Sequence, residues 1–157
     1  MNHPTLQPLR ILLEQAESER DAALQRQRKV ERALAAAEQQ AQQLHDYRAE
    51  YEGRWSQQLK RGMAITLVQV YQDFVGRLHG AVDQQGQQVE RLRAELARCM
   101  ADTVAAELRV ASVGKLIGRR ETALARNAAQ REQKQMDELA SRAAWQRVDR
   151  WGAHTRT

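Results

Sequence analysis

The sequence predicts an all-α protein, a long antiparallel two-helix coiled-coil hairpin in which helix 2 overhangs helix 1. Apolar residues recur every seven positions over residues 68–124, in two rows offset by three and four, which is the pattern of a supercoiling helix. A second stretch, residues 9–55, repeats the pattern. Only 4% of the residues are aromatic and 29% are charged, a composition that fills a narrow strip between two helices and not a broad core.

Helix 1 is expected over about residues 6–59. Pro8 suits its first turn, where a missing N–H costs no hydrogen bond, and residues 1–7 are expected to fray. Many of the seam positions are alanine, so the helices can approach closely while each side chain buries little area. The first heptad row is Leu9, Ala16, Ala23, Val30, Ala37, Leu44 and Tyr51, and its companion is Leu13, Arg20, Gln27, Leu34, Ala41, Arg48 and Trp55.

A turn at about residues 60–65 leads to helix 2, expected over about residues 66–148. Gly62 is predicted to stop helix 1 and Thr66 to cap helix 2. If the turn centres near residue 62 or 63, facing residues have numbers that sum to about 125, which pairs Tyr51 with Phe74. The rows of helix 2 are Val68, Val75, Val82, Val89, Leu96, Thr103, Val110, Ile117 and Leu124, with Tyr71, Leu78, Gln85, Leu92, Cys99, Ala106 and Val113.

The apolar seam fades after Leu124, where helix 1 no longer supplies a partner. Residues 119–157 carry nine Arg or Lys and five Asp or Glu, and therefore hold most of the net charge of +5. We expect this overhang to dock on a partner, because an unpaired helix is marginal in water. Residues 151–157 are expected to be disordered, and residues 1–157 to form a single domain. Five glycines fall inside helix 2, and they are interpreted as tolerated weak points in preference to close helix contacts.

The sequence contains no phosphate-binding loop, nucleophile motif or metal-ligand spacing. His45 and His79 could face each other across the hairpin, but a metal needs more ligands than two. We therefore expect no cofactor, no metal and no enzymatic activity. The single cysteine, Cys99, excludes an internal disulfide. No apolar run is long enough to span a membrane and no secretory signal precedes the helices, so a cytoplasmic location is expected.

The estimated pI of 9.9 raises the alternative of nucleic-acid binding. A nucleic-acid-binding helix carries a contiguous basic stripe, and here acidic residues interrupt the basic ones of the overhang. A protein partner with an acidic face fits this pattern better, and no nucleic acid is expected. A free-standing chaperone or scaffold hairpin that binds unfolded or acidic clients is a further alternative.

Three stretches, in order along the chain, resemble the flagellar FliJ family of the type III export apparatus. Residues 44–51 have the pattern Leu-x-x-Tyr-x-x-Glu-Tyr, and residues 71–81 have the pattern aromatic-x-x-Phe-x-x-x-Leu-x-x-Ala. Residues 133–140 are similar to the ending Gln-Lys-x-Met-Asp-Glu-Phe-Ala, with Leu139 at the Phe position. The resemblance implies a coiled coil like the central stalk of rotary ATPases, without enzymatic activity of its own. The related injectisome stalk shares this fold and stays open as an alternative.

The resemblance also implies partners: a hexameric export ATPase, the cytoplasmic part of the membrane-embedded export gate, and export chaperones. It places the protein at the cytoplasmic face of the inner membrane, at the flagellar base. The gate-binding patch that the resemblance implies corresponds here to Gln40, Leu44, Tyr47, Tyr51, Phe74, Leu78, Ala81 and Gln85. At position 85 the resemblance implies His, and this chain has Gln. Of the patch residues, Leu44, Leu78 and Ala81 are interpreted as core, and the aromatic residues as partly exposed anchors. The ATPase-facing end corresponds to Arg119, Arg126, Arg131 and Lys134 in the overhang.

Overall fold

The computed structural model describes residues 3–154, and among these residues no strand is present. A 3₁₀ turn, Pro4–Leu6, leads into helix α1, Gln7–Lys60, and helix α2 spans Ile65–His154. The two long helices pack against each other as a helical hairpin, which confirms the predicted fold class. Their sequences are rich in Ala, Gln, Arg, Glu and Leu, all of which favour helix.

The start of the chain is more ordered than the sequence predicts. The His3 ring accepts a hydrogen bond from the backbone N–H of Thr5 at 3.3 Å and so caps the 3₁₀ turn. Leu6 is 1% exposed, the most deeply buried side chain among the described residues. The prediction that residues 1–7 fray is therefore wrong for residues 4–7, because Leu6 lies seven residues before Leu13 and extends that heptad row. Residues 1 and 2 lie outside the described part of the chain.

The turn between the helices depends on Gly62. Its φ of 88° lies in the left-handed region and is the one positive value within residues 3–154, which confirms it as the helix stop. The backbone carbonyl of Ala64 accepts from the N–H of Val68 at 3.2 Å, so Ala64 is the N-cap of α2. Thr66 already lies inside the first turn, and its predicted capping role is wrong.

The end of α2 also differs from the expectation. The helix continues to His154, so the predicted disorder is wrong for residues 151–154. Gly152 is a single weak helix former, which costs about 1 kcal/mol relative to alanine, and alone it does not end a helix. Residues 155–157 lie outside the described part of the chain.

The seam of the coiled coil is placed as the heptads predict. Every residue of the four rows is buried or half-buried. Most are half-buried because two helices shield only a strip of each other's surface. The fully buried members are Ala16, Ala23, Val30, Ala37, Leu78, Val89, Thr103 and Val113.

The chain divides into two compact units. We call Ala16–Arg109 the turn unit. In it, exposed ion pairs join the helices, Arg109 with Glu19 and Arg93 with Glu38, the latter at 3.3 Å. Such exposed pairs contribute roughly 0–1 kcal/mol each, so the seam carries most of the stability of the unit.

The second unit, which we call the terminal unit, comprises the residues up to Gln15 together with those from Val110 onward. Leu6 and Val113 are its buried residues and Leu124 is half-buried. Every residue of α2 from 125 to 154 is exposed, which confirms that the seam stops after Leu124. Within the described residues, no helix has both the length and the apolar character that crossing a membrane requires.

The glycines inside α2 do not mark close helix contacts. A Cβ atom added at Gly76, Gly80, Gly86, Gly114 or Gly118 would meet nothing within 4 Å. The space around each glycine is open, so these residues are weak points in the helix and not sites of close packing.

Candidate partner-binding surfaces

An aromatic cluster lies in the turn unit, at the end of the hairpin next to the turn. It contains Tyr47, Tyr51 and Trp55 of α1 and Tyr71 and Phe74 of α2, which are all the tyrosines, the single phenylalanine and one of the three tryptophans of the chain. The Tyr51 ring lies at its centre, with centroids at 4.4 Å from Phe74, 5.8 Å from Trp55, 6.0 Å from Tyr71 and 6.1 Å from Tyr47. Trp55 and Tyr71 are 4.8 Å apart.

The spacing of these residues explains why they meet. Tyr47, Tyr51 and Trp55 are four residues apart and therefore lie along one face of α1. Tyr71 and Phe74 are three apart on α2, and the predicted pairing of Tyr51 with Phe74 is confirmed by the 4.4 Å centroid distance. The chain thus places five of its seven Phe, Tyr and Trp residues at one level of the hairpin.

The cluster is part core and part surface. Tyr47 is 48% exposed, and the other four rings are half-buried. The expectation that Tyr47, Tyr51 and Phe74 are partly exposed is confirmed, because a two-helix seam is too narrow to cover large rings. Exposed aromatic rings that are already held in place by neighbours are suited to anchor a partner.

The other predicted patch residues lie next to the cluster. Leu78 is buried, whereas Leu44, Ala81 and Gln85 are half-buried and Gln40 is exposed. Leu44, Ala81 and Gln85 line one shallow surface groove, together with Gln84, Gln88 and Arg91. The interpretation of Leu78 as core is confirmed, while Leu44 and Ala81 contribute to both seam and surface.

Gln85 donates hydrogen bonds across the hairpin to α1. Its Nε2 donates to the backbone oxygen of Ala37 at 3.1 Å and to Oε1 of Gln40 at 3.4 Å. An amide does not titrate near neutral pH, so this contact is independent of proton uptake. Gln85 and Gln40 are therefore brought together as the sum of 125 predicts.

Sequence reasoning assigned Trp55 and Tyr71 to the seam alone and missed their place in the cluster. Both are seam residues, and both also contact the Tyr51 ring. Two signals could have identified them. Trp55 follows Tyr51 by four residues, and the numbers of Trp55 and Tyr71 sum to 126.

His45 and His79, the two histidines that could face each other across the hairpin, contact different side chains. The His79 ring nitrogen lies 3.3 Å from a Glu52 carboxylate oxygen across the hairpin. The Arg48 guanidinium lies 3.3 Å from the ring nitrogen of His45, one turn away on α1. Within residues 3–154 no group of three or more His, Cys, Asp or Glu side chains is arranged to hold a metal ion.

A second surface lies on α2 in the terminal unit. Arg119, Arg126, Arg131 and Lys134 are all exposed. Arg119 and Arg126 line one shallow groove with Lys115, Gly118, Thr122 and Ala123. Three cations, Lys115, Arg119 and Arg126, thus share one face of the helix and make the local surface potential positive. Arg131 and Lys134 continue along the same helix without lining that groove.

The fold and these surfaces define a class of protein. It is an α-helical coiled-coil hairpin that carries an aromatic cluster and a basic helix face on its surface. The family model described as Flagellar FliJ protein matches residues 5–149. Because this match covers nearly the whole chain, the chain belongs to the FliJ family and is related to flagellar protein export. Comparison with curated proteins and with solved structures gave no match.

Proposed function

We propose that this chain is a connector of the flagellar export apparatus that links the hexameric export ATPase to the export gate. It acts by binding, and the ATPase performs the hydrolysis. The observation that carries the proposal is the presence of two different surfaces on one hairpin of the FliJ family. One is an aromatic cluster in the turn unit, and the other is a basic helix face in the terminal unit.

The aromatic surface is the proposed gate-binding site. Its exposed anchor is Tyr47, beside Tyr51 and Phe74, and the groove lined by Leu44, Ala81 and Gln85 adjoins it. Rigid aromatic side chains lose little entropy on binding and dominate many interfaces. Through this contact the chain is held at the cytoplasmic face of the inner membrane.

The basic surface is the proposed ATPase-binding site. It comprises Arg119, Arg126, Arg131 and Lys134, with Lys115 in the same groove as the first two. An exposed basic face increases the rate of association with an acidic partner, and the effect weakens with salt. Export chaperones are further proposed partners, which the chain escorts to the gate. The family match favours this flagellar role over the injectisome alternative.

The gate assignment is tested with the double variant Tyr47→Ala and Phe74→Ala. We expect the variant to stay helical but to lose gate binding in a pull-down with the cytoplasmic gate fragment, and the cells to lose swimming motility. The matched control is Met100→Ala with Val104→Ala, which removes two exposed apolar side chains of the same unit. Normal gate binding by a folded Tyr47–Phe74 variant would refute the assignment.

The ATPase assignment is tested by charge reversal. Arg119→Glu with Arg126→Glu should weaken co-purification with the export ATPase, and raising the salt concentration should weaken the unaltered complex. The control is Arg28→Glu with Arg32→Glu, which makes the same charge change on exposed positions of α1 in the turn unit. Equal loss in both variants would show a general charge effect and contradict a specific surface.

A further inference from the structure

The end of α2 carries an amphipathic segment that neither proposed surface uses. We define it as residues 142–154, all of which are exposed. Trp145, Val148 and Trp151 are 69%, 64% and 77% exposed. With 3.6 residues per turn, these three side chains lie within roughly a third of the helix circumference. Ala144 and Gly152 fall in the same arc, so this face of the segment is entirely apolar or small.

The rest of the circumference is basic. Arg142, Arg147 and Arg150 are opposed by a single acidic residue, Asp149, and His154 lies on the same side. In helical projection Arg147 lies next to the Trp151 edge of the apolar face, whereas Asp149 lies next to the Trp145 edge with Arg142 just beyond it. With three arginines and one aspartate, the polar side of the segment has an excess of two positive charges.

We propose that this segment docks on the surface of a membrane that contains anionic lipids, with the Trp145–Trp151 face against the lipid. A helix of this type lies in the plane of the interface, its apolar face in the headgroup and acyl boundary and its cations on the lipid phosphates. Tryptophan rings favour that level of a bilayer. The three arginines match the negative charge of the lipid headgroups.

A flat lipid surface fits this face better than a partner helix does. Away from the aromatic cluster, many of the buried seam residues are small, among them Ala16, Ala23 and Ala37. By contrast, the proposed face has a large ring at each edge, which keeps a second helix from approaching as closely as the helices do at those alanines. The wide apolar arc and the excess positive charge on the rest of the circumference suit an anionic lipid surface that extends on both sides of the helix.

The contact is tested with the purified full chain and lipid vesicles, with no other protein present. One set of vesicles is phosphatidylcholine, and in the other about a quarter of the lipid is phosphatidylglycerol. We expect the chain to sediment with the anionic vesicles and to bind the neutral ones much more weakly. Tryptophan emission should shift to shorter wavelength when anionic vesicles are added.

Two variants separate the apolar and the charged contributions. Trp145→Ala with Trp151→Ala should weaken vesicle binding about tenfold or more, because each ring removes a large apolar area. It should also abolish the emission shift, although Trp55 remains. Arg142→Gln with Arg147→Gln should weaken binding to anionic vesicles about 25-fold, at roughly fivefold for each cation, and leave binding to neutral vesicles unchanged.

The matched control is Met136→Ala with Leu139→Ala. Both side chains are exposed, at 67% and 64%, and in projection they lie outside the proposed face. This variant should bind vesicles within twofold of the unaltered chain. A loss equal to that of the tryptophan variant would overturn the assignment of the face, as would the absence of sedimentation or equal binding to both kinds of vesicle.

A third readout separates this inference from the proposed function. If the chain binds the export ATPase as proposed, we expect it to stimulate ATP hydrolysis, and this stimulation, measured without lipid, should be normal in the tryptophan variant. If that variant kept its vesicle binding but lost ATPase stimulation, the face would belong to the ATPase contact and the lipid proposal would be wrong. Conversely, vesicle binding by a chain that has no effect on the ATPase would leave the lipid contact standing and refute the proposed function.

Discussion

Alanine substitutions within the aromatic cluster should separate stability from partner binding. Tyr51 is half-buried and has four ring neighbours at 4.4 to 6.1 Å, whereas Tyr47 is 48% exposed and its one ring contact is with Tyr51, at 6.1 Å. The same substitution therefore removes a central ring in one case and a peripheral ring in the other.

The magnitudes follow from the number of rings in contact. Aromatic pairs contribute about 0.5–1.5 kcal/mol each beyond the area that they bury. With four pairs, and allowing for a half-exposed ring, Tyr51→Ala should lower the free energy of unfolding by about 3 kcal/mol. Tyr47→Ala loses one distant pair and should cost about 0.5 kcal/mol. Because Trp55 and Tyr71 remain 4.8 Å apart, part of the cluster persists in both variants.

The assay is urea unfolding followed by circular dichroism, with gate binding measured on the folded variants by calorimetry. Tyr47→Ala should be nearly as stable as the unaltered chain yet weaken binding by about 2 kcal/mol or more, as expected for an interface anchor. Equal unfolding costs for the two variants would refute the cluster geometry. A stable Tyr47→Ala variant with normal affinity would refute the anchor role while leaving the geometry intact.

Four further substitutions test the fold in the same urea assay. Gly80→Ala should raise the free energy of unfolding by about 0.5–1 kcal/mol, because the helix has open space there. Gly62→Ala should lower the free energy of unfolding by about 1–2 kcal/mol, because the φ of Gly62 is positive. If both alanine variants changed the free energy of unfolding in the same direction, the positive φ at the turn would be contradicted. Leu6→Ala should cost about 2–3 kcal/mol, since the side chain is buried, and a cost near zero would show that the 3₁₀ turn does not pack. Gln85→Ala should lower the free energy of unfolding by about 1 kcal/mol, because it removes the hydrogen bond to the backbone of α1. The control is Gln84→Ala, an exposed position, which should change the free energy of unfolding very little.

Heptad periodicity was sufficient to predict the fold, because in a two-helix coiled coil the sequence spacing determines which residues face the partner. All four predicted rows are at least half-buried, and the stop after Leu124 is where exposure begins. The facing sum of 125 also predicted the contact of Tyr51 with Phe74. These inferences succeed because each needs only helix geometry and the position of Gly62.

The errors occurred where local signals competed with packing. Residues 1–7 were expected to fray, but burial of Leu6 holds the 3₁₀ turn Pro4–Leu6 in place. Thr66 is a good capping residue, yet the helix begins at Ile65, so Thr66 lies two residues after the N-cap, Ala64. The double role of Trp55 was missed because a heptad position was treated as wholly buried, whereas in a narrow seam a large ring is both core and surface.

The central claim is that the chain connects to the export ATPase as a single stalk. The most direct test is the rate of ATP hydrolysis by the hexameric export ATPase as the full chain is added. We expect the rate to rise and to saturate at one chain per hexamer, and we expect Arg119→Glu with Arg126→Glu to remove the stimulation. An unchanged rate, or saturation at one chain per ATPase subunit, would contradict it.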